Sequence, residues 1–435
     1  MLKSAPEIVE WMNEIEKSIR VKISKINFEK LQDWHFEPSS GDIIHESGKF
    51  FQVKGIHVKT NWGKINSWSQ PIIKQSEIGI LGILMRYIDE EPYFLLQAKI
   101  EPGNINLVQL SPTLQATKSN YTSVHGGKKV PYLKYFVDLK NDEIISDQLH
   151  SEQGSRFLRK RNRNIIIHIT DRVPVLENFM WIPLKIIQKL FHYDNILNMD
   201  TRSVLSSFLF HKNLDNHSKS IPLYNIDQII SWITSQKVYY SLEVTEIGLK
   251  EVKDWKISSS EIAHIHNKYF SIFPIEVKIE GREVEYWTQP IIKPNQSGIC
   301  AFIAKKINDS WHFLVQAKVE CGNIDIIELA PTLQCLNDNY KDSENELPYL
   351  DYILNANSDE IHFDSMLSEE GGRFYNEENR NLILKVGKDF PTICPKNYIW
   401  MTLEQIQLFA KFNNYFNIQA RSLISAIIGK EHEYS

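Results

Sequence analysis

Apolar and polar positions alternate through Phe94-Leu-Leu-Gln-Ala-Lys-Ile-Glu101. Successive side chains of a strand point to opposite faces, so Leu96, Ala98 and Ile100 share one face and Leu95, Gln97, Lys99 and Glu101 the other. One face stays apolar while the other turns polar along its length. The same pattern returns at Phe313–Glu320, with Gln316, Lys318 and Glu320 on the polar side. Gln97 and Gln316 lie 219 positions apart, as do Tyr121 and Tyr340. From Trp68 to Tyr121, 25 of 54 positions are identical to Trp287–Tyr340, which marks a duplicated domain rather than a short-period solenoid. Ordinary alternation explains a solvent-facing strand. It does not explain why Gln, Lys and Glu persist in both copies, and a pocket wall does.

The rest of the chain fits the same plan. Residues 5–20 read as an amphipathic helix, with Pro6 in the first turn and Ile8, Trp11, Met12, Ile15 and Ile19 on one face. Asp33-Trp34 opens the first repeat and Asp254-Trp255 the second. Short strands follow in each, and then the matched Trp-Ser-Gln-Pro and Trp-Thr-Gln-Pro motifs at Trp68 and Trp287. After Tyr121 the copies diverge. They rejoin at Ser151-Glu-Gln-Gly-Ser-Arg-Phe and Ser368-Glu-Glu-Gly-Gly-Arg-Phe, each followed by a strand and two helices. Asn225 is a candidate cap for a helix over 227–236. The expected domains are an N-terminal helix (1–30), repeat one (31–209), an ordered helical connector (210–251) and repeat two (252–435). The fold class is α+β, with mixed or antiparallel sheets and flanking helices.

Composition narrows the function classes. The chain has 435 residues, a net charge of −5 and 24% charged residues, which gives no general attraction to nucleic acid. No apolar run reaches the ~18 residues a membrane helix needs. The N-terminal stretch lacks the uninterrupted apolar core of a signal peptide. Four cysteines, none at CxxC spacing, indicate neither a zinc site nor a disulfide framework, so a cytoplasmic setting is the simplest. There is no GxGxxG after a strand, no P-loop, no GxSxG and no HExxH. His264 and His266 lack a third ligand at metal spacing. Arg156 and Arg163 recur as Arg373 and Arg380, and arginine forks suit phosphate oxygens.

The motifs WSQPII, LLQAKIEPGN, VQLSPTLQATKSNYTSVHGG and SEEGGRF resemble those of the nucleoside-diphosphate-4-keto-6-deoxyglucose 2,3-dehydratases, over a span from about Trp11 to Ile428. The resemblance implies a homodimer with two Nudix-like domains per chain and nucleotide-sugar sites that need neither metal nor other cofactor. It implies a dTDP-4-keto-6-deoxyglucose substrate, and a 3-ketoreductase or another 3-keto-sugar enzyme that takes up the unstable 3,4-diketo product. The carboxylate-rich helix that holds metal in diphosphate-hydrolysing Nudix enzymes has no counterpart here, so hydrolysis is not carried over.

The implied reaction sets the demands on the site. The C4 ketone acidifies the C3 proton, a base removes it, and hydroxide leaves C2 with help from an acid. Hydrogen-bond donors must face the developing enolate oxygen. The expected catalytic residues are His125, Tyr121 and Lys99. Expected substrate-binding residues are Gln97, Asn104, Thr117, Asn120, Arg156 and Arg163, with Gln316, Lys318, Asn339, Tyr340, Arg373 and Arg380 in the second copy. Nothing in repeat two matches His125, which places catalysis in repeat one. A non-catalytic nucleotide-sugar binding protein or scaffold is the alternative.

Overall fold

A computed structural model describes residues 4–117, 130–137, 139, 143–208, 221–280, 284–336, 347–428, 430 and 433–434. His125, Tyr121, Asn120, Asn339 and Tyr340 lie outside the described residues.

The first helix, Ala5–Ser18, starts where Ser4 and Glu7 cap each other's backbone, and it buries Ile8 and Met12. Its counterpart, Ile226–Tyr239, starts with the same device from Asn225 and Gln228 and buries Ile229 and Ile233. The reciprocal cap satisfies two of the N–H groups that every helix start leaves unpaired.

Each helix leads into a strand that joins the other repeat. Val21–Lys25 pairs antiparallel with Phe270–Ile279 of repeat two, with Ile23 opposite Val277. Leu242–Ile247 pairs with Gln52–Thr60 of repeat one, with Val244 opposite Val58. The helical connector expected over 210–251 therefore contains a strand as well, and so does the N-terminal segment. Each five-stranded sheet is completed by chain from outside its own repeat.

Each repeat also carries a seven-stranded mixed sheet. In repeat one the order is Ile144–Ser151, Arg161–His168, Ile80–Ile88, Glu91–Ile100, Phe179–Pro183, with Arg161–His168 parallel to Ile80–Ile88. Repeat two reproduces it around Gly298–Ile307 and Ser310–Lys318. The alternation seen in the sequence holds in three dimensions. Phe94, Leu96, Ala98 and Ile100 enter one large core that also takes Phe313, Val315 and Ala317 of repeat two. Leu95, on the opposite face, joins a smaller core with Leu84, Leu114, Phe136 and Trp181.

Two buried arginines tie the repeats together. Arg202 Nε donates to Ser422 Oγ at 2.7 Å, and Arg421 Nε donates to Ser203 Oγ at 3.0 Å. Each also reaches a backbone carbonyl of the other repeat, Arg202 at Ser368 (2.5 Å) and Arg421 at Ser151 (2.6 Å). Burial lowers both guanidinium groups to about 10, so both remain charged at neutral pH.

Candidate active site

The polar face of Glu91–Ile100 owes its setting to a split in the sheet. Ile80–Ile88 and Glu91–Ile100 pair only between Leu84–Ile88 and Glu91–Leu95. Beyond that point Ile80–Gly82 pairs with Leu114–Ala116, while Gln97–Ile100 pairs with Val108–Ser111. Pro112-Thr113 sits at the fork. Thr113 Oγ1 accepts from Leu84 N at 2.9 Å and donates to Leu95 O, so it replaces the ladder bonds that the split removes. Thr332 does the same in repeat two, where Ile303 N donates to it at 2.9 Å.

Side chains meet across this fork. Lys99 Nζ donates to Gln115 Oε1 at 2.7 Å and to Glu101 Oε1 at 3.0 Å, and Gln115 Nε2 donates to Glu101 Oε1 at 3.0 Å. The Lys99 side chain is 17% exposed and that of Glu101 5%, so the ion pair is largely shielded from solvent. Gln97 and Thr117 are half-buried. Repeat two varies the theme. There Lys318 Nζ donates to the backbone carbonyl of Gln334 at 3.0 Å, and Gln334 Nε2 to Glu320 Oε1 at 3.0 Å. Gln316 Nε2 donates to the Tyr398 hydroxyl at 2.8 Å, and the Tyr398 ring lies 5.3 Å from Tyr349. Tyr349, Tyr352 and Phe390 line a cavity of about 760 Å³ with Glu360 and Asp389.

A loop from repeat two packs against the Gly103-Asn104 turn that follows this network in repeat one. Gly103 N donates to Gly371 O at 2.7 Å, and Asn376 N donates to Gly103 O at 2.7 Å. A Cβ on Gly103 would sit 1.7 Å from Phe374 O, and one on Gly371 would sit 2.1 Å from Asn104 Oδ1. Only glycine permits so close an approach. The reciprocal contact joins Gly322 N to Gly154 O at 2.6 Å. The Trp-x-Gln-Pro motif braces each loop from below. Trp287 Nε1 donates to Gln289 Oε1 at 2.8 Å, and Gln289 Nε2 donates to Gly372 O at 2.7 Å. Trp68 and Gln70 hold Ser155 O in the same way.

The interlock brings four carboxyl groups into one electrostatic neighbourhood: Glu101, Glu152, Asp200 and Glu370. Desolvation, with Glu101 and Glu152 adding like charge, pushes the Glu370 carboxyl up to about 7 against the pull of Arg373 and Lys99. Burial first, then Glu152, Glu370 and Glu101, raises Asp200 well above the usual carboxylate range. Lys160, buried beside Glu152 and bonded to Glu77 O, is lowered to about 8, chiefly by desolvation. Among the described residues, no three His, Cys, Asp or Glu converge as a metal-ion donor set.

The residues singled out in the sequence fall into distinct places. Gln97 and Lys99 lie on one arm of the repeat-one fork, Thr117 just beyond the other, and Asn104 in the turn that meets the repeat-two loop. Gln316 and Lys318 lie on the matching arm of the repeat-two fork. Arg156 and Arg373 sit in the interlocking loops, stacked over Phe270 (4.2 Å) and Phe51 (4.3 Å) of the opposite repeat. Of the four arginines, Arg373 is the one whose charge acts on Glu370 and Lys160. Arg163 and Arg380 turn their forks to neighbouring-strand carboxylates, Asp147 (2.8 and 2.6 Å) and Asp364 (3.0 and 2.6 Å). Glu152, Lys160, Asp200 and Glu370 were missed. Glu152 recurs as Glu369, but for the other three the signal lay in the differences between copies, since Gln153, Glu377 and Gln419 stand where Glu370, Lys160 and Asp200 have their counterparts.

The fold and this site define a duplicated α+β protein in which a loop of each repeat locks into the other, with Lys99 and four carboxyl groups gathered at one of the two junctions. The NDP-hexose 2,3-dehydratase family model matches residues 5–208 and again 226–427. The chain belongs to that family. It is 41% identical over 423 residues to a dTDP-4-dehydro-6-deoxy-alpha-D-glucopyranose 2,3-dehydratase of Saccharopolyspora spinosa, covering 93% of this chain and 87% of the relative. Proteins of the same name from Streptomyces violaceoruber and Amycolatopsis orientalis are 40% and 39% identical. Those alignments cover 96% of this chain and 95% and 88% of the relatives.

Proposed function

We infer that this protein is a hydro-lyase that removes water across C2 and C3 of dTDP-4-dehydro-6-deoxyglucose. The observation that carries the reading is the full-length match: both repeats align with relatives of that activity at about 40% identity. The cleft chemistry agrees with it. A 4-keto sugar bound along Gln97, Asn104 and Thr117 would set its C4 oxygen near Lys99, whose ammonium stabilises the enolate that forms when the C3 proton leaves. His125, with an imidazole that titrates near neutrality, is our choice for the base that takes this proton, and Tyr121 and Asn120 for donors to the sugar oxygens. Arg373 is the arginine best placed to add positive charge for the diphosphate. Hydroxide loss from C2 gives an enol, which relaxes to the 3,4-diketone.

Further parts of this reading rest on the family resemblance. The repeats are Nudix-like, the chain pairs as a homodimer in the cytoplasm, and a 3-ketoreductase or similar enzyme takes up the product. The test is incubation with dTDP-4-dehydro-6-deoxyglucose and no reductase. The product then breaks down, with release of dTDP and a maltol-like compound. Folded protein that binds the nucleotide sugar and leaves it intact would instead favour a scaffold.

A further inference from the structure

We propose that Glu370, carried by the second repeat, is the general acid of the first repeat's cleft, protonating the C2 hydroxyl as it departs. The proposal rests on the dehydratase reading above and adds a residue and a role to it.

Placement comes first. The interlock of Gly103 with Gly371 and Asn376 fixes the loop that begins at Glu370 against the Glu101–Asn104 turn. Below, Gln289 and Trp287 hold Gly372, and Ile292 N donates to Arg373 O at 2.9 Å. Glu370 Oε1 accepts from Gly372 N at 3.0 Å, and no described residue donates to its other oxygen. Glu370 itself keeps partial access to solvent. Asp200, only 3% exposed, shares that neighbourhood and accepts no hydrogen bond from a described residue. A buried carboxyl without a donor costs stability unless it is protonated or meets a ligand.

The duplication supplies an internal control. Lys99, Glu101, Asn104 and Glu152 all recur in repeat two, as Lys318, Glu320, Asn323 and Glu369. Glu370 and Asp200 do not recur: Gln153 and Gln419 take their places. The scaffold of the cleft is kept in both copies, whereas groups able to carry a proton at these two positions are kept in only one. Gln153 also shows that glutamine fits this loop, since Gly154 keeps its bond to Gly322.

The step balances. The base takes the C3 proton, and the C–H pair becomes the enolate. As the C2–O bond breaks, the Glu370 carboxyl proton passes to the departing oxygen and water forms. The enol then gives its hydroxyl proton to the Glu370 carboxylate, C2 takes the proton held by the base, and both groups are restored. Glu101, Glu152 and Asp200 around Glu370 favour its protonated form, while Lys99 and Arg373 oppose it.

The test compares two leaving groups. Hydroxide needs an acid and fluoride does not, so Glu370→Gln is assayed on dTDP-4-dehydro-6-deoxyglucose and on its 2-deoxy-2-fluoro analogue. The expected result is a kcat loss of about 100-fold or more on the hydroxyl substrate, the usual worth of a general acid. KM and dTDP affinity should stay near the wild type, and fluoride release should persist within about 10-fold. Equal losses on both substrates, or retained turnover of the hydroxyl substrate, overturn the proposal. Wild-type protein inactive on both substrates would sink the dehydratase reading itself.

Discussion

Replacing Lys99 with methionine should separate what this residue does for the fold from what it does for chemistry. Lys99 Nζ holds Glu101 Oε1 at 3.0 Å at a side-chain exposure of 5% for Glu101. Removing one partner of such a buried pair leaves a charge without its counterion and costs about 3–5 kcal/mol. Gln115 still donates to Glu101 at 3.0 Å, which puts the expected loss at the lower end, about 3 kcal/mol. Adding Glu101→Gln removes the stranded charge and should recover all but about 1 kcal/mol, the worth of a lost hydrogen bond. Activity should not return with stability. If the ammonium faces the enolate oxygen, kcat stays down by about 100- to 1,000-fold in the double variant. Urea unfolding followed by tryptophan fluorescence reads the first quantity, and dTDP release reads the second. A Lys99→Met protein as stable as the wild type would show that the ion pair is not desolvated as described. A double variant with restored turnover would remove Lys99 from the chemistry.

Three further substitutions use one repeat as a reference for the other. Glu328 is buried, accepts from Ser151 Oγ at 2.6 Å and is pushed up to about 8 from 4.5, mainly by desolvation. Because its folded value is raised, the stability that its proton confers is complete below 4.5 and is lost as pH rises through about 8. Gln109 holds the equivalent place in repeat one, bonded to Ser368 Oγ at 3.0 Å, so Glu328→Gln should fold. Its stability advantage should grow by about 1.4 kcal/mol per pH unit across that window, and urea midpoints that differ equally at pH 5.5 and 7.5 would contradict the assignment. Gly103→Ala and Gly322→Ala each drive a Cβ to within 1.8 Å of a loop carbonyl, Phe374 O and Phe157 O. Both should lose about 1–3 kcal/mol of stability. Only Gly103→Ala, which displaces Glu370, should lose most of its kcat, as steady-state kinetics at a temperature where both are folded would show.

Much of this molecule was legible in the sequence because side-chain alternation along a strand is a local property. The Leu96-Ala98-Ile100 face and the Gln97-Lys99-Glu101 face could be assigned without knowing what lay across from them. Helix starts were legible for the same reason, since Asn225 and Gln228 cap within one turn. The strand exchange was not. Val21–Lys25 and Leu242–Ile247 fell inside segments read as helical, and nothing local says that they form strands whose partners lie about 250 and 190 residues away in the other repeat. The close approach at Gly371 was likewise hidden, because a glycine kept for backbone contact looks the same in a sequence as one kept for a turn.

The missed carboxyl groups follow a different logic. Attention to what the copies share picks out residues that build the cleft, because both clefts need the same split sheet, Thr wedge and glycine interlock. Chemistry that only one cleft performs leaves its mark where the copies differ. Glu370 against Gln153 is a nearly isosteric pair, so packing cannot explain that choice, and Asp200 against Gln419 exchanges a carboxyl group for an amide one methylene longer. What separates the members of each pair is the ability to gain and lose a proton in a place where water cannot easily supply one. Each loop crosses to the opposite repeat, so a change in repeat two is felt in the cleft of repeat one. The second repeat is thus held in place by its contribution to the first, whatever its own cleft does.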